Sequence, residues 1–399
     1  MTTSKNKTLP LEGVTVVSLE QAVAAPLCTR QLAEQGARVI KVERPDGGDF
    51  ARAYDDRVNG FSSHFVWANR SKESLTLNLK STEGQEILHR LLAEADVLVQ
   101  NLAPGATARM GLSFGELHEQ YPKLIVCDVS GYGQGGPYGD KKAYDLLIQS
   151  ESGFLSVTGT PDEDGMAKAG CSVADIAAGM YACNAILSAL LLRGRTGEGS
   201  HIDVSMLESL VEWMGYPMYY GYDGAPPPAR TGASHASIYP YGPFPVGDGT
   251  TVMLGLQNDR EWRGFCEQVL ERPELAQDQR YLDNSRRSAN RAQLGALIRE
   301  VFSGMTLDEV VRRLDAAGIA NASVNNMEQV WQHPQLAARN RWLEVATPAG
   351  PLPALRAPGL WFPDAVSAVP ALGEHSTLIL EQLGFDRNRI DQLTNNGVI

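Results

Sequence analysis

Cysteine is scarce and scattered in this sequence. Cys28, Cys127, Cys171, Cys183 and Cys266 are odd in number, and none forms a Cys-x-x-Cys pair. That spacing offers no disulfide framework and no zinc set with the seven His. The five read as reduced core thiols of a cytoplasmic protein. Basic residues are also short, 35 Lys and Arg against 47 Asp and Glu, for a net charge of −12. Nucleic acid is therefore not the expected partner, and any anionic ligand needs a local basic cluster. The opening MTTSKNKTLP lacks an apolar core, so no secretory signal is expected. No apolar run of about 18 residues is free of polar breaks, so no membrane span is expected. A phosphate-binding loop of the GxxxxGK[ST] type is missing.

What is there is ordinary for a folded chain. Apolar residues make 43% and charged residues 21% of 399, enough for a large core and two domains. GVTVVSL (Gly13–Leu19) and RVIKVERP (Arg38–Pro45) are β-branched runs of strand length. Between them AAPLCTRQLAEQGA has helical spacing and stops at Gly36. SLTLNL, DVLVQNLAPG and LIVCDVSGYG repeat the strand pattern, and STEGQEILHRLLAEA opens with a Ser/Thr cap and an acidic first turn. This alternation predicts a doubly wound, mostly parallel, Rossmann-like α/β domain, with ligands at the carboxyl ends of the strands. A further strand is expected in GEGSHIDVSML.

The texture changes after the Pro/Gly-rich YDGAPPPARTGASH. SIYPYGPFPVGDGTTVMLGLQ predicts antiparallel strands around the Gly247–Gly249 turn, and TLDEVVRRLDAAGI a helix. The expected organisation is α/β at residues 1–222, a smaller α+β domain at 223–330, and a loop-rich segment at 331–399 that ends in a helical pair.

Two features carry chemistry. Arg44, Arg52, Arg70, Lys72, Lys80, Arg109, Lys141 and Lys142 fall just after predicted strands. Lone surface bases are usually only solvated, but their recurrence on an acidic chain suits a phosphorylated, nucleotide-like ligand. GYGQGGPYG (Gly131–Gly139) follows a strand without an immediate helical pattern, so it reads as a loop whose backbone approaches a ligand rather than a dinucleotide signature. The second feature is Asp175 in KAGCSVADIAAGMYACNAILSALL, otherwise the pattern of a buried helix. A carboxylate in a first turn is commonly a cap or dipole partner. Here Ala174, Ala177, Ala178 and Gly179 crowd it with small side chains, leaving room for another molecule and for a nucleophile or base.

Taken together, PLEGVTVVSLEQAVAAPLCTRQLAEQGARVIKVERPDGGDFAR, NRSKESLTLNLK, ADVLVQNLAPGATARMGL, YPKLIVCDVSGYGQGGPYGDKKAYDLLIQSESG and VADIAAGMYACNAILSALLLRGRTGEGSHIDVSMLES resemble the family III CoA-transferases, the CaiB/BaiF family. The resemblance spans nearly the whole chain. It implies an interlocked homodimer with acyl-CoA and a small carboxylic acid as substrates and no resident metal or cofactor. It makes Asp175 the catalytic carboxylate. It carries CoA contacts to Arg44 in KVERP, Leu77 and Lys80 in LTLNLK, Asn101 and Leu102 in VQNLAPG, Arg109 in TARMG, and Lys142 and Tyr144 in KKAYD. The implied donor is succinyl-CoA and the acceptor a dicarboxylate such as citramalate, malate, mesaconate or itaconate. Arg52, Arg70, Arg230 or His235 would meet its distal carboxylate. Formyl-CoA transferase has a glutamine two residues after the position of Gln21, where this chain has Val23, so formyl or oxalate specificity is not implied. The rival readings are a 2-methylacyl-CoA racemase and a non-catalytic CoA-binding relative. The racemase uses a histidine in the segment where this chain has Tyr144, a poor proton carrier near neutral pH.

Overall fold

The computed structural model describes residues 8–360 and 365–399. The chain forms two units: residues 1–153, 169–214 and 338–399, and residues 154–168 and 215–337. The second unit thus takes in 154–168, a segment that the sequence pattern places in the α/β region.

The first unit is built on β1 (Thr15–Leu19), β2 (Arg38–Glu43), β3 (Glu73–Thr76), β4 (Val97–Gln100), β5 (Ile125–Ser130) and β6 (His201–Ser205). They form one sheet in the order β3-β2-β1-β4-β5-β6. Every pairing is parallel. The β-branched runs are buried on both faces, as a parallel sheet between helical layers requires. This order reverses between β1 and β4, and the crevice beyond their carboxyl ends is where such sheets bind ligands.

One face packs its Val17, Ile40, Leu75 and Leu98 against Ile87, Leu88 and Leu91 of the Thr82–Glu94 helix. The terminal helices Ser376–Gln382 and Arg387–Asn395 join the same core through Ile379, Leu380, Ile390 and Leu393. The expected helical pair is therefore present. The tail is tied to β3: the N–H of Ser74 donates to His375 Nδ1, and that of Thr76 to Ser376 Oγ, both at 3.1 Å.

The other face carries the first helix (Ala24–Ala33) and the long helix (Val173–Thr196), which pack on each other. Small residues make this approach close. A Cβ added at Gly179 would lie 2.6 Å from the carbonyl oxygen of Ala24. The stripe Ala174, Ala177, Ala178, Ala182, Cys183 and Ile186 is buried, but Met180, Tyr181, Leu191 and Leu192 of the same helix are exposed. The expectation of a helix buried all round is corrected: one face is apolar and open. The helix is long and apolar enough to cross a bilayer by composition, yet its alanine stripe is used on the sheet and the first helix. It ends where Gly197 adopts φ 80° and returns its N–H to Arg193 O.

In that unit β7 (Tyr241–Pro245), β8 (Thr251–Gly255) and β9 (Ala320–Ser323) form an antiparallel sheet over a core of Trp262, Phe265, Tyr281 and Phe302. The Gly247–Gly249 turn joins the first two, where the sequence placed it. The first unit closes with an antiparallel pair, β10 (Trp342–Val345) and β11 (Leu352–Leu355). Of the cysteines expected in the core, Cys28, Cys127, Cys183 and Cys266 are buried, but Cys171 is exposed.

Candidate active site

The carboxyl ends of β1 to β4 open onto a cavity of about 1170 Å³. Leu19 and Gln21 come from the end of β1, Arg44 and Pro45 from beyond β2, Leu77 and Lys80 from beyond β3, and Leu102 and Arg109 from beyond β4. Three cations thus converge on a partly apolar space in an acidic protein. Bases there suit phosphates, and the leucines suit a flat heterocycle. Gln85 and His89, one turn apart on the Thr82–Glu94 helix, line the same wall. The sequence reading missed both, although their i, i+4 spacing puts them on one helix face.

Asn101 serves this crevice indirectly. Its Oδ1 accepts the N–H of Gln21 at 2.8 Å and its Nδ2 donates to the carbonyl of Gln21 at 2.9 Å. The amide therefore bridges the ends of β4 and β1, and it does not line the cavity. Beyond Gln21 the chain turns sharply: Ala22 has φ 63°, and Val23 begins the first helix without a side-chain cap. The backbone N–H of Ala24 then lies near enough to Asp175 to favour its ionised form. A single turn, residues 20–24, therefore connects the cavity wall to the Asp175 carboxylate, which itself is not part of that wall.

Asp175 is half-buried near the start of the long helix. Burial pushes its carboxyl up, the Asp145 charge adds to this, the Ala24 N–H opposes it, and the result is about 7. Asp145 opens the Asp145–Glu151 helix. Its Oδ1 accepts the N–H of Ala174 at 2.8 Å and that of Asp175 at 3.3 Å, while its Oδ2 accepts Gln149 Nε2 at 2.6 Å. Asp145 rather than Asp175 is therefore the cap of the long helix. This removes the ordinary structural explanation for Asp175 and leaves it free for chemistry. Tyr54 lies close enough to both Asp175 and Tyr144 to feel their charges. Burial first, then the neighbouring acids, push the Tyr54 hydroxyl up to about 12.

The structure corrects the roster of bases. Arg52 pairs with Glu43 at 2.7 Å, Arg70 with Glu34 at 2.5 Å, and Lys72 with Glu20 at 2.7 Å, all within the protein. Lys141 pairs with Glu151 at the surface. These four are not converging on a ligand. Arg52 and Arg70 are consequently not available for an acceptor's distal carboxylate. Arg230 donates to the carbonyls of Thr160 and Asp162, and His235 Nδ1 accepts the N–H groups of Ser237 and Ile238, so both are engaged in loop structure. Lys142 and Tyr144 are exposed and do not line the cavity. The Gly-rich loop is anchored at Gln134, whose Nε2 donates to Asp128 Oδ2 at 2.6 Å. Asp128 Oδ1 accepts Gln100 Nε2, and Gln100 Oε1 accepts the N–H of Leu102. A polar chain thus joins that loop to the cavity.

Residues 11–376 match CoA-transferase family III. The chain is 36% identical to the succinate–glutarate CoA-transferase of Agrobacterium fabrum, over 96% of this chain and 98% of that one. It is 33% identical to the succinyl-CoA:glutarate CoA-transferase of Homo sapiens, over 99% and 91%. The crystal structure of a CaiB/BaiF family protein from Brucella suis superposes with a TM-score of 0.83 at 35% identity, covering 94% of this chain and 100% of that chain. The chain is an enzyme of the transferase type and belongs to CoA-transferase family III.

Proposed function

We propose that this enzyme moves CoA from succinyl-CoA to a small dicarboxylic acid through covalent chemistry at Asp175. The observation that carries the reading is a carboxylate that caps nothing, is half-buried, and is joined through the single turn of residues 20–24 to the wall of a cavity lined by Arg44, Lys80 and Arg109. The relatives named for glutarate, malate, mesaconate and citramalate support a dicarboxylate acceptor. Glutarate joins the acids expected from the sequence.

The cavity takes the nucleotide end of CoA, with its phosphates on the three bases. Asp175 attacks the thioester carbonyl; the new C–O bond replaces the C–S bond, and CoA thiolate leaves a succinyl–aspartyl anhydride. The bound thiolate attacks the aspartyl carbon and expels succinate, forming an aspartyl-CoA thioester. The acceptor carboxylate displaces the thiolate to form a second anhydride. The thiolate attacks the acceptor's acyl carbon, releasing acceptor-CoA and regenerating Asp175. Each step exchanges one acyl bond for another, so no redox partner enters. Thiolate is a good leaving group, and holding it nearby gives it a high effective concentration. The Ala24 N–H favours the ionised nucleophile.

The same reading extends to assembly as an interlocked homodimer, in which the open face of the long helix, with Met180, Tyr181, Leu191 and Leu192, is covered. Light scattering coupled to gel filtration tests that mass. For the chemistry, the intact protein is weighed after mixing with succinyl-CoA, then treated with hydroxylamine and mapped by peptide. A CoA adduct or hydroxamate on Asp175, absent from Asp175→Ala, is the expected result. CoA binding without any adduct overturns the covalent reading.

A further inference from the structure

Beneath the turn that reaches Asp175 lies a fully buried ionic cluster. Lys41 Nζ lies 2.8 Å from Asp49 Oδ2 and 3.4 Å from Glu20 Oε1, and Lys72 Nζ lies 2.7 Å from Glu20 Oε1. Thr29 Oγ1 donates to Glu20 Oε2 at 2.6 Å. All of these side chains are inaccessible to solvent. Charges buried this deeply are expensive to desolvate, and well-packed apolar residues commonly replace them without loss of stability. The arrangement therefore asks what the cluster does besides hold the fold.

Asp49 supplies the answer. Its Oδ2 is fixed by Lys41, and its Oδ1 accepts the N–H of Ala22 at 3.1 Å and of Ala51 at 2.9 Å. Its own N–H donates to Glu43 Oε2 at 3.0 Å. The carboxylate is held at both ends and has no freedom to move. Ala22 is the residue at φ 63°, a left-handed conformation that L-residues with a Cβ avoid. Next to it, Gln21 is clamped through both backbone groups by Asn101. Two residues further on, Ala24 lies against the long helix, where a Cβ added at Gly179, one turn beyond Asp175, would come 2.6 Å from its carbonyl oxygen, and its N–H favours the ionised Asp175 carboxyl. The strained residue thus sits between two fixed anchors and one functional donor.

We propose that Asp49 is a positioning residue for the reaction at Asp175: by holding Ala22 in its left-handed conformation it aims the Ala24 N–H at the reacting carboxylate. The inference rests on the reading of Asp175 as the acyl acceptor. Lys41 is the counter-ion that makes the anchor rigid. Neither touches substrate, so the role is expressed in the rate of acyl transfer and not in CoA affinity.

The test uses paired variants of the full chain that leave no unpaired buried charge from this ion pair. Lys41→Met/Asp49→Asn keeps a carbonyl oxygen for the Ala22 and Ala51 N–H groups, whereas Lys41→Met/Asp49→Ala does not. The rate of aspartyl adduct formation from saturating succinyl-CoA is followed by mass spectrometry, and CoA affinity by calorimetry. The Asn pair is expected to react within about threefold of wild type, and the Ala pair about 10²-fold more slowly, the scale of one lost oxyanion donor. CoA affinity should stay within about twofold in both. Adding Ala22→Gly to the Ala pair should recover about tenfold, because glycine takes the left-handed conformation without an anchor. If the Ala pair does not fold, Lys41→Met/Asp49→Leu, which fills the space of the carboxylate without an acceptor, replaces it in the same comparison. Equal rates for the Asn and Ala pairs, no rescue by Ala22→Gly, or a parallel loss of CoA affinity each overturn the proposal. Absence of an adduct in wild type instead removes the Asp175 reading on which it rests, so the two failures are distinct.

Discussion

Asp145 caps the long helix with the same carboxylate that raises its neighbour Asp175. Its Oδ1 takes the N–H of Ala174 at 2.8 Å and reaches that of Asp175 at 3.3 Å. Two acids thirty residues apart in sequence are thus neighbours at one helix start, one structural and one open. The expected consequence is a titration of activity. With Asp175 at about 7 in the free enzyme, kcat/KM should rise from pH 6 to pH 8 with an acid limb near 7. Asp145→Asn keeps an oxygen for Ala174 but removes the charge. Its acid limb should move down by about one unit. Initial rates of acyl transfer from pH 5 to pH 9 check this, and an unmoved limb would show that Asp145 does not tune Asp175.

The same shift predicts a dependence of stability on pH. An unfolded aspartate titrates near 3.8, the folded Asp175 near 7. Between those values the folded state binds more protons, so this group's contribution is full below about pH 4 and is lost as pH rises through 7. Asp175→Asn carries no such proton. It should match wild type near pH 4 and exceed it at pH 8 by on the order of 2–4 kcal/mol, the lower figure allowing for water at the partly open carboxylate. Urea melts at the two pH values measure the gap. A gap that does not widen with pH contradicts the assignment.

The cavity makes a separable prediction. Arg44, Lys80 and Arg109 line it and make no ion pair among the described residues. Replacing Lys80 or Arg109 by Ala should raise KM for acyl-CoA about tenfold, with kcat little changed, since binding and not chemistry loses a charge-assisted contact. The effect should shrink at high salt. Steady-state kinetics at two ionic strengths decide, and a fall in kcat without a change in KM would place CoA elsewhere.

The strand and helix order was readable because β-branched runs such as TVVSL and RVIKVE alternate with capped amphipathic segments. The bases of the site were half readable. Arg44, Lys80 and Arg109 look the same in sequence as Arg52, Arg70 and Lys72. What separates them is a partner from elsewhere in the fold: Glu43, Glu34 and Glu20 neutralise the second group. No local pattern announces such pairs. Asn101 likewise reads as a polar residue after a strand, and only the approach of β1 to β4 turns both its amide atoms onto Gln21. The apolar composition of the long helix signalled burial, but composition does not say that Tyr181 and Leu191 fall on the face its own sheet leaves open. Asp145 was invisible as a cap because it comes from a different helix.

Arg52, unlike Arg109, should matter for stability and not for CoA. Burial pushes the Glu43 carboxyl up, but the hydrogen bond from Arg52 and the charges of Lys41 and Arg52 outweigh this and leave it at about 2. The bidentate contact, Nε to Oε2 at 2.8 Å and an outer nitrogen to Oε1 at 2.7 Å, is completed by Ser74 Oγ on Oε1. A depressed carboxylate contributes stability that is fully present above its unfolded value of about 4.5 and is lost as pH falls through 2. Wild type should therefore exceed Glu43→Gln by roughly 3 kcal/mol at pH 7, and the gap should narrow below pH 4.5. Arg52→Met alone leaves the buried Glu43 short of its main partner and should cost about 3–5 kcal/mol, more than Arg52→Met combined with Glu43→Gln. Denaturant melts of the three variants at pH 7 and pH 4 complete the cycle. Equal losses for the single and double variants would mean that the pair contributes through packing, and that Arg52 over the Phe65 ring, 3.7 Å from its centroid, supplies the stability instead.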